Sequence, residues 1–170
     1  LSPEQFHEGH VLDVLHIEKS GFLSDRVMDL GSGGGVPGLL HQMIFKKPWI
    51  LCDSEKFKAD FLQRVINEYP VTHSEVVNTR AEEWLSIGNQ VDQITARAVG
   101  SVEKIYAWIR YCSTWNNLLL LKGPGWEAEW SRFVENSSKK TPLKIDREYR
   151  YEVGVEKKRR VIIQLSRNED

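Results

Sequence analysis

The stretch Asp29-Leu30-Gly31-Ser32-Gly33-Gly34-Gly35-Val36-Pro37-Gly38 decides the fold of this chain, because its glycines cluster where two predicted elements meet. Arg26 to Leu30 form a short predicted strand, and residues 37–46 are predicted to be a helix that begins at Pro37. Glycines allow a positive φ and let the backbone approach a ligand closely. The start of a helix also offers unpaired N–H groups to a ligand. The stretch therefore predicts a strand, a ligand-binding loop and a helix in succession.

Two kinds of ligand fit the glycine spacing. Counted from Gly33, the pattern Gly-x-Gly-x-x-Gly is that of dinucleotide-binding loops. Counted from Gly31, the pattern Asp-x-Gly-x-Gly-x-Gly resembles the loop of S-adenosylmethionine methyltransferases. Asp29 favours the second, because a carboxylate there suits an ammonium and a sulfonium but repels a pyrophosphate. A turn without a ligand is disfavoured, since so many glycines cost folding entropy.

Asp53 supports a nucleoside cofactor. It lies 22 residues after Gly31, at the predicted end of the second strand, where a carboxylate can accept hydrogen bonds from ribose hydroxyls. The alternative role is an ordinary helix cap, because Asp53 and Ser54 precede a predicted helix. The glycine loop upstream favours the cofactor role.

Strands and helices alternate along most of the chain. Strands are predicted at residues 26–30, 48–52, 75–78, 91–96 and 118–121, and helices at 2–21, 37–46, 55–69, 81–85, 102–111 and 127–136. The first helix has a capping box, Ser2-Pro3-Glu4-Gln5, and ends at Gly21. Residues 145–153 and 161–165 follow as two strands with no helix between them, which indicates an antiparallel pair.

This order predicts an α/β fold, Rossmann-like, with a mostly parallel sheet and a C-terminal antiparallel hairpin. We expect a single domain, since the chain has 170 residues and no linker-like segment divides it. Its predicted parts are an N-terminal helix (1–21), a cofactor-binding core (25–136) and the strand pair (144–167). With 41% hydrophobic and 28% charged residues, the composition is that of a globular protein.

Charge is unevenly distributed. The net charge is −1, but residues 139–160 hold nine Lys and Arg against four Asp and Glu. This basic segment carries +5 and the remainder −6. Such asymmetry is consistent with a polyanionic partner such as nucleic acid, or with exposed strands whose charges discourage aggregation.

The remaining features exclude other classes of protein. No apolar run is long enough to span a membrane, and His7 and His10 lack partners for a metal site. Cys52 and Cys112 lie in apolar contexts with no export signal, which indicates reduced thiols in the cytoplasm. We expect a monomer that binds neither metal nor membrane.

From His10 onward the chain resembles the bacterial small-subunit (16S) rRNA guanine-N7 methyltransferases, the glucose-inhibited division protein B family. The matching segments are His10 to Asp13, Asp29 to Gly38, Asp53-Ser54 with Phe61-Leu62, Thr79 to Glu83, Ala96 to Ala98, Leu121 to Gly123 and Arg159 to Ile163. Two features depart from the family. Its N-terminal helical segment is absent, and Phe57 and Lys58 stand where it has a Lys-Arg pair.

The resemblance implies methyl transfer from S-adenosylmethionine to N7 of a guanine in 16S rRNA or the small ribosomal subunit, with S-adenosylhomocysteine as product. The loop and the family motifs together imply cofactor contacts at Asp29, Gly31, Ser32, Gly33, Gly35, Pro37, Asp53, Ser54, Ala81, Glu82 and Arg97. Arg97 is also expected to position the acceptor. RNA contacts are expected at Arg80, Lys122, Lys157, Lys158, Arg159 and Arg160. Simpler roles are an ion pair with Glu82 or Glu83 for Arg80, and a solvated charge for Arg97.

The residues that are missing fit this chemistry. Guanine N7 carries a lone pair and no proton, so its methylation requires positioning but no base. Neither cysteine looks activated as a nucleophile, and residues 96–100 lack the Asn/Asp-Pro-Pro-aromatic loop of amine methyltransferases. Trp126 and Tyr106 are expected in the core more than against a base. The alternatives are a small-molecule methyltransferase and a non-catalytic module that binds S-adenosylmethionine or RNA.

Overall fold

A seven-stranded sheet forms the centre of the computed structural model, which describes residues 2–69, 73–137 and 140–168. The strands are β1 (Val27–Leu30), β2 (Ile50–Cys52), β3 (Glu75–Val77), β4 (Val91–Arg97), β5 (Trp115–Lys122), β6 (Leu143–Val153) and β7 (Lys158–Arg167). Their order is β3-β2-β1-β4-β5-β7-β6. Strands β1 to β5 are parallel, and β7 runs antiparallel to both of its neighbours. The predicted mostly parallel sheet with a C-terminal hairpin is confirmed.

Helices connect the parallel strands as the sequence predicts. They are α1 (Pro3–Phe6), α2 (Leu12–Ser20), α3 (Gly38–Phe45), α4 (Lys56–Glu68), α5 (Ala81–Ser86), α6 (Val102–Ile109) and α7 (Trp126–Glu135). The capping box at Ser2 and the end at Gly21 are confirmed, but a π-helical turn, His7–Val11, divides the predicted N-terminal helix. An apolar pattern does not reveal such a turn, because it changes the hydrogen-bond register and not the residue types.

Strand register gathers the candidate residues at one edge of the sheet. Leu30 pairs with Cys52 on one side and with Ala96 on the other. The next residues along the three strands, Gly31, Asp53 and Arg97, therefore lie side by side at the carboxyl edge of the sheet. This edge is also where the strand order reverses, between β1 and β4, which is the usual place of a ligand in such sheets.

Three apolar clusters hold this edge in place. The largest fills one face of the sheet, with Met28, Ile94 and Leu118 fully buried. A second cluster packs α3 and α4 on β1 and β2. A third packs α2 on β5, β6 and β7 around Ile17 and Leu119. Strand β5 begins three residues earlier than predicted, because buried Trp115 pairs with Val91.

Candidate functional site

The glycine loop is held against the end of β2. The N–H groups of Gly31 and Ser32 both donate to the carbonyl oxygen of Cys52, at 2.8 and 3.0 Å. Gly31 has a φ of 70°, and a Cβ there would lie 3.0 Å from Cγ2 of Val99. Gly35 has a φ of 88°, and a Cβ would lie 2.8 Å from the Leu39 side chain. Glycine is required at both positions by conformation and by space.

Asp29 lies beneath this loop and is only 1% exposed. Its Oδ2 accepts a hydrogen bond from the N–H of Gly38 at 2.9 Å, and buried Ser32 donates from Oγ to its carbonyl oxygen. Burial raises the pKa of the Asp29 carboxyl to about 7, which the bond from Gly38 opposes. The geometry favours Asp29 as a support that fixes the loop on α3, whereas the sequence predicted direct contact with the cofactor.

The raised pKa of Asp29 predicts a pH-dependent stability. Its folded pKa, about 7, exceeds its ordinary value of 3.8, so the folded state holds this proton more tightly than the unfolded state. The contribution of the protonated Asp29 carboxyl to stability is therefore present at low pH and is lost as the pH rises towards 7. Asp29→Asn keeps an acceptor for Gly38 without the charge. Thermal melts should show the variant gaining on the wild type between about pH 4 and 7, by up to about 1.4 kcal/mol per unit of pKa difference. A difference in stability between the variant and the wild type that is constant over this pH range would show that Asp29 does not titrate there.

Asp53 is held at the end of β2 by four hydrogen bonds. Its Oδ2 accepts from the N–H of Gly33 and its Oδ1 from the N–H of Glu55, both at 2.9 Å. Its own N–H donates to Val77, and its carbonyl oxygen accepts from Asn78. Each carboxylate oxygen has a second lone pair, so the group can still accept from a ligand. Asp53 is not the helix cap that the sequence allowed, because the residue that caps α4 is Glu55. Its carboxylate instead anchors the local backbone, a role that is compatible with binding a ribose.

A cavity of about 120 Å³ opens beside Asp53. Its walls come from the ends of β1 and β2, from the start of α5, and from α6 across the opening. The predicted residues that line it are Gly31, Asp53, Ser54, Arg80, Ala81 and Glu82. Arg80 is largely exposed and lies 3.6 Å from the Glu82 carboxylate, which is the simpler role that the sequence allowed.

The wall residues that were not predicted from the sequence include Val99 and Trp108. Trp108 is half-buried on α6, and the Lys104 ammonium lies 5.2 Å from its ring centre. The available signal was an apolar helix whose tryptophan lies away from its buried positions. The sequence does not show that this helix faces β2 and α5 across a cavity.

The structure places Arg97 outside this cavity. Its side chain is 18% exposed and pairs with buried Asp13, with Nε 3.2 Å from Oδ2. Nη1 lies 2.8 Å from Nδ1 of His10, and Nη2 donates to the carbonyl oxygen of Gly9 at 2.6 Å. Arg97 is therefore neither a solvated charge nor placed as a cofactor contact, because the N-terminal segment folds over the end of β4 and engages it.

Lys122 and Trp126 also have structural partners. Lys122, expected to contact RNA, is 12% exposed, and its ammonium donates to Glu129 and to the carbonyl oxygen of Gly100, both at 2.8 Å. This geometry does not favour contact with RNA. Trp126 is 2% exposed in the core and donates from Nε1 to Glu148. Half-buried Tyr106 packs against Phe133.

Four basic residues of the C-terminal hairpin, Lys157 to Arg160, lie at and beside its turn. Lys157, Lys158 and Arg159 are exposed, and Arg160 is half-buried. The Lys158 ammonium lies 3.0 Å from the carboxylate of Glu156, with both side chains mostly exposed. Lys139, part of the basic segment in the sequence, lies outside the described residues. The expected RNA contacts at this turn stay a prediction.

The two thiols are unsuited to nucleophilic catalysis. Burial, with Asp53 and Asp29 nearby, raises the pKa of Cys52 to about 12. Burial also raises the pKa of Cys112. The thiolate is the nucleophilic form, so neither cysteine is activated at neutral pH.

The part of the chain that the structure describes has neither a cluster of metal ligands nor a membrane-spanning helix. No group of three or more His, Cys, Asp or Glu side chains there could hold a metal ion. No helix there combines the length and apolar character needed to cross a membrane.

Comparisons with known proteins agree on one family. The family described as "GidB: rRNA small subunit methyltransferase G" matches residues 2–159. A protein named ribosomal RNA small subunit methyltransferase G from Fervidobacterium nodosum is 32% identical over 146 residues, which cover 84% of this chain and 68% of that protein. Proteins of the same name from Petrotoga mobilis and Pseudothermotoga lettingae are each 28% identical. Those matches cover 92% and 71% of this chain, and 72% and 54% of the respective relatives.

Solved structures share the fold. Magnesium protoporphyrin IX methyltransferase from Synechocystis, solved with bound S-adenosylmethionine, has a TM-score of 0.61 at 15% identity, over 93% of this chain and 77% of that one. TrmK from M. capricolum, solved with S-adenosylhomocysteine, has a TM-score of 0.65 at 11% identity, over 92% of this chain and 68% of that one. At these identities the likeness extends to the fold alone.

Proposed function

This chain belongs to the GidB family, rRNA small subunit methyltransferase G, and from this membership we propose that it methylates N7 of a guanine in 16S rRNA, using S-adenosylmethionine. The observation that carries the proposal is the pairing of a glycine loop with Asp53 at the reversal point of the sheet. We place the enzyme in the cytoplasm as a monomer, acting on the RNA or on the small subunit.

The cofactor site is proposed along the carboxyl ends of β1 and β2. Asp53 would accept hydrogen bonds from the ribose, and Ala81, Val99 and Trp108 would enclose the adenine. The cavity, about 120 Å³, is smaller than the roughly 300–1,000 Å³ of pockets that enclose a whole ligand, so it suits the nucleoside end alone. The remainder of the cofactor would lie over the glycine loop, where the absence of Cβ atoms lets a ligand reach the backbone.

The reaction needs orientation from the protein and little else. S-adenosylmethionine supplies an electrophilic methyl group on a positively charged sulfur. Guanine N7 has a lone pair and no proton, so no side chain has to act as a base. The high pKa of Cys52 argues against a covalent step. Arg97, at the end of β4, would hold guanine O6 or a phosphate and leave N7 free to react.

Labelled S-adenosylmethionine provides the test of this proposal. The protein is incubated with naked 16S rRNA, with assembled small subunits and with pools of small molecules, and the methylated atom is mapped. We expect label at N7 of one guanine in RNA. Label in small molecules alone would support the alternative methyltransferase, and binding without transfer would support a non-catalytic module.

The turn of the hairpin is proposed as an RNA contact. Replacing the turn residues by Gln, at Lys157, Lys158 and Arg160, should weaken RNA binding. It should also reduce the slope of log affinity against log salt concentration by about 0.7–0.9 for each lost phosphate contact. Binding of S-adenosylmethionine should not change. Exposed Lys19, in the last turn of α2, and exposed Lys47, which follows α3, lie at the opposite edge of the sheet and are the matched controls when changed to Gln. Equal slopes for both sets of variants would refute a specific role for the turn.

A further inference from the structure

The segment Gly9–Asp13 surrounds the Arg97 guanidinium with acceptors. Gly9 offers its carbonyl oxygen, His10 offers ring Nδ1, and Asp13 offers a carboxylate oxygen, at 2.6, 2.8 and 3.2 Å. Gly9 and His10 belong to the π-helical turn, and turns of this kind are frequent at functional sites. Neither the glycine loop nor the cofactor cavity accounts for this arrangement.

Asp13 is itself held from a second direction. It is 2% exposed, and its Oδ1 accepts a hydrogen bond from the Tyr151 hydroxyl on β6 at 2.7 Å. The His16 ring, one turn further along α2, stacks on Tyr151 at 4.2 Å between ring centres. Asp13 therefore joins α2, β4 and β6, and its carboxylate has little freedom to move away from Arg97.

These contacts leave part of Arg97 available to a substrate. A guanidinium has five N–H groups, and the hydrogen bonds to His10 and Gly9 use one on Nη1 and one on Nη2, while Nε lies beside Asp13. One N–H on Nη1 and one on Nη2 stay unused, on a side chain that is 18% exposed. The guanidinium is fixed in orientation before any substrate arrives, which is the arrangement that makes a donor effective in catalysis.

We propose that His10 and Asp13 are positioning residues, which orient Arg97 so that its two unused N–H groups meet the acceptor nucleotide. This inference rests on the proposed function, since it assigns Arg97 to the acceptor side of the same site. It predicts that both residues affect the rate of methyl transfer while the affinity for S-adenosylmethionine is unchanged.

His10 must be neutral to accept a hydrogen bond from Arg97. The charged groups that face its ring are Arg97 from β4 and Asp13 from α2, while Phe6 from α1 contacts it edge-on at 5.0 Å. Burial and Arg97 lower the pKa of His10 below its ordinary 6.5, and Asp13 opposes them. A protonated ring would have no lone pair at Nδ1 and would repel Arg97. The rate should therefore be constant above about pH 7 and fall in more acidic solution.

Two variants test the proposal in single turnovers with saturating RNA and cofactor. Asp13→Asn should lower the rate by about 10- to 100-fold, the scale expected for a misplaced contact, and leave cofactor affinity within about twofold. His10→Gln keeps an acceptor that cannot be protonated. It should approach the wild-type rate near pH 8 and abolish the fall in acid. His7→Gln, at an exposed position of the same turn, is the matched control and should behave as wild type.

Other outcomes have distinct meanings. A folded Asp13→Asn protein with the wild-type rate, or an acid fall that persists in His10→Gln, would overturn the positioning role. An NMR titration of His10 tests its contact with Arg97 without substrate, because Arg97→Ala should raise the pKa of His10. A wild type that shows this contact but methylates no RNA would overturn the proposed function, and the role of Arg97 with it, while the contact itself would stand.

Discussion

Arg97→Ala is expected to destabilise the protein by about 3–5 kcal/mol, the usual cost of leaving one member of a buried ion pair alone. Asp13, which is only 2% exposed, would keep the hydrogen bond from Tyr151. Its carboxylate would lose the positive charge of Arg97 that balances it. The N-terminal segment would also lose the donor that reaches Gly9 and His10. Denaturant unfolding measures the change, and methyl transfer should fall with it.

The double variant Asp13→Asn, Arg97→Ala separates charge from contact. Because it removes the unpaired carboxylate, it should recover part of the stability that Arg97→Ala loses. It should not recover the rate, since the guanidinium is still missing. If the Arg97→Ala protein is as stable as the wild type, Arg97 does not hold the N-terminal segment in place.

Asp53→Ala is expected to weaken binding of S-adenosylmethionine by about 1.5–3 kcal/mol, or roughly 10- to 150-fold, the range for hydrogen bonds to a charged group. The variant also removes the acceptor for Gly33 and so loosens the glycine loop. Calorimetry measures the affinity. Asp60→Ala, an exposed carboxylate on α4 that pairs with Lys56, is the matched control and should bind as wild type.

A third variant, Asp53→Asn, distinguishes the two roles of this residue. The amide oxygen can still accept from one of the two backbone N–H groups, so Asp53→Asn should be less destabilised than Asp53→Ala. An amide is, however, a weaker acceptor than a carboxylate for ribose hydroxyls. If both Asp53→Ala and Asp53→Asn bind S-adenosylmethionine with unchanged affinity, Asp53 only anchors the local backbone.

Much of the fold was predictable because it depends on local patterns. Alternation of apolar strands with helices gave the α/β class, and the lack of a helix after residue 145 gave the hairpin. Element boundaries differed by a few residues, as at β5, where a buried tryptophan extends the strand. The glycine loop with Asp53 was also predictable, because its residues are close in sequence to the strands that carry them.

The sequence by itself therefore determined the sheet, the loop that suits a nucleoside cofactor, and the family resemblance. Only the tertiary structure decided the partners of Arg97 and Lys122 and the place of Trp108. Arg97 lies 84 residues after Asp13, and Tyr151 lies a further 54 residues on. Asp13 nevertheless contacts both, because α2 packs on β5, β6 and β7 and begins beside the end of β4. A single sequence carries no signal for a contact of that separation. Whether a charged side chain is free to bind a ligand depends on such contacts, because burial makes a nearby opposite charge the more favourable partner.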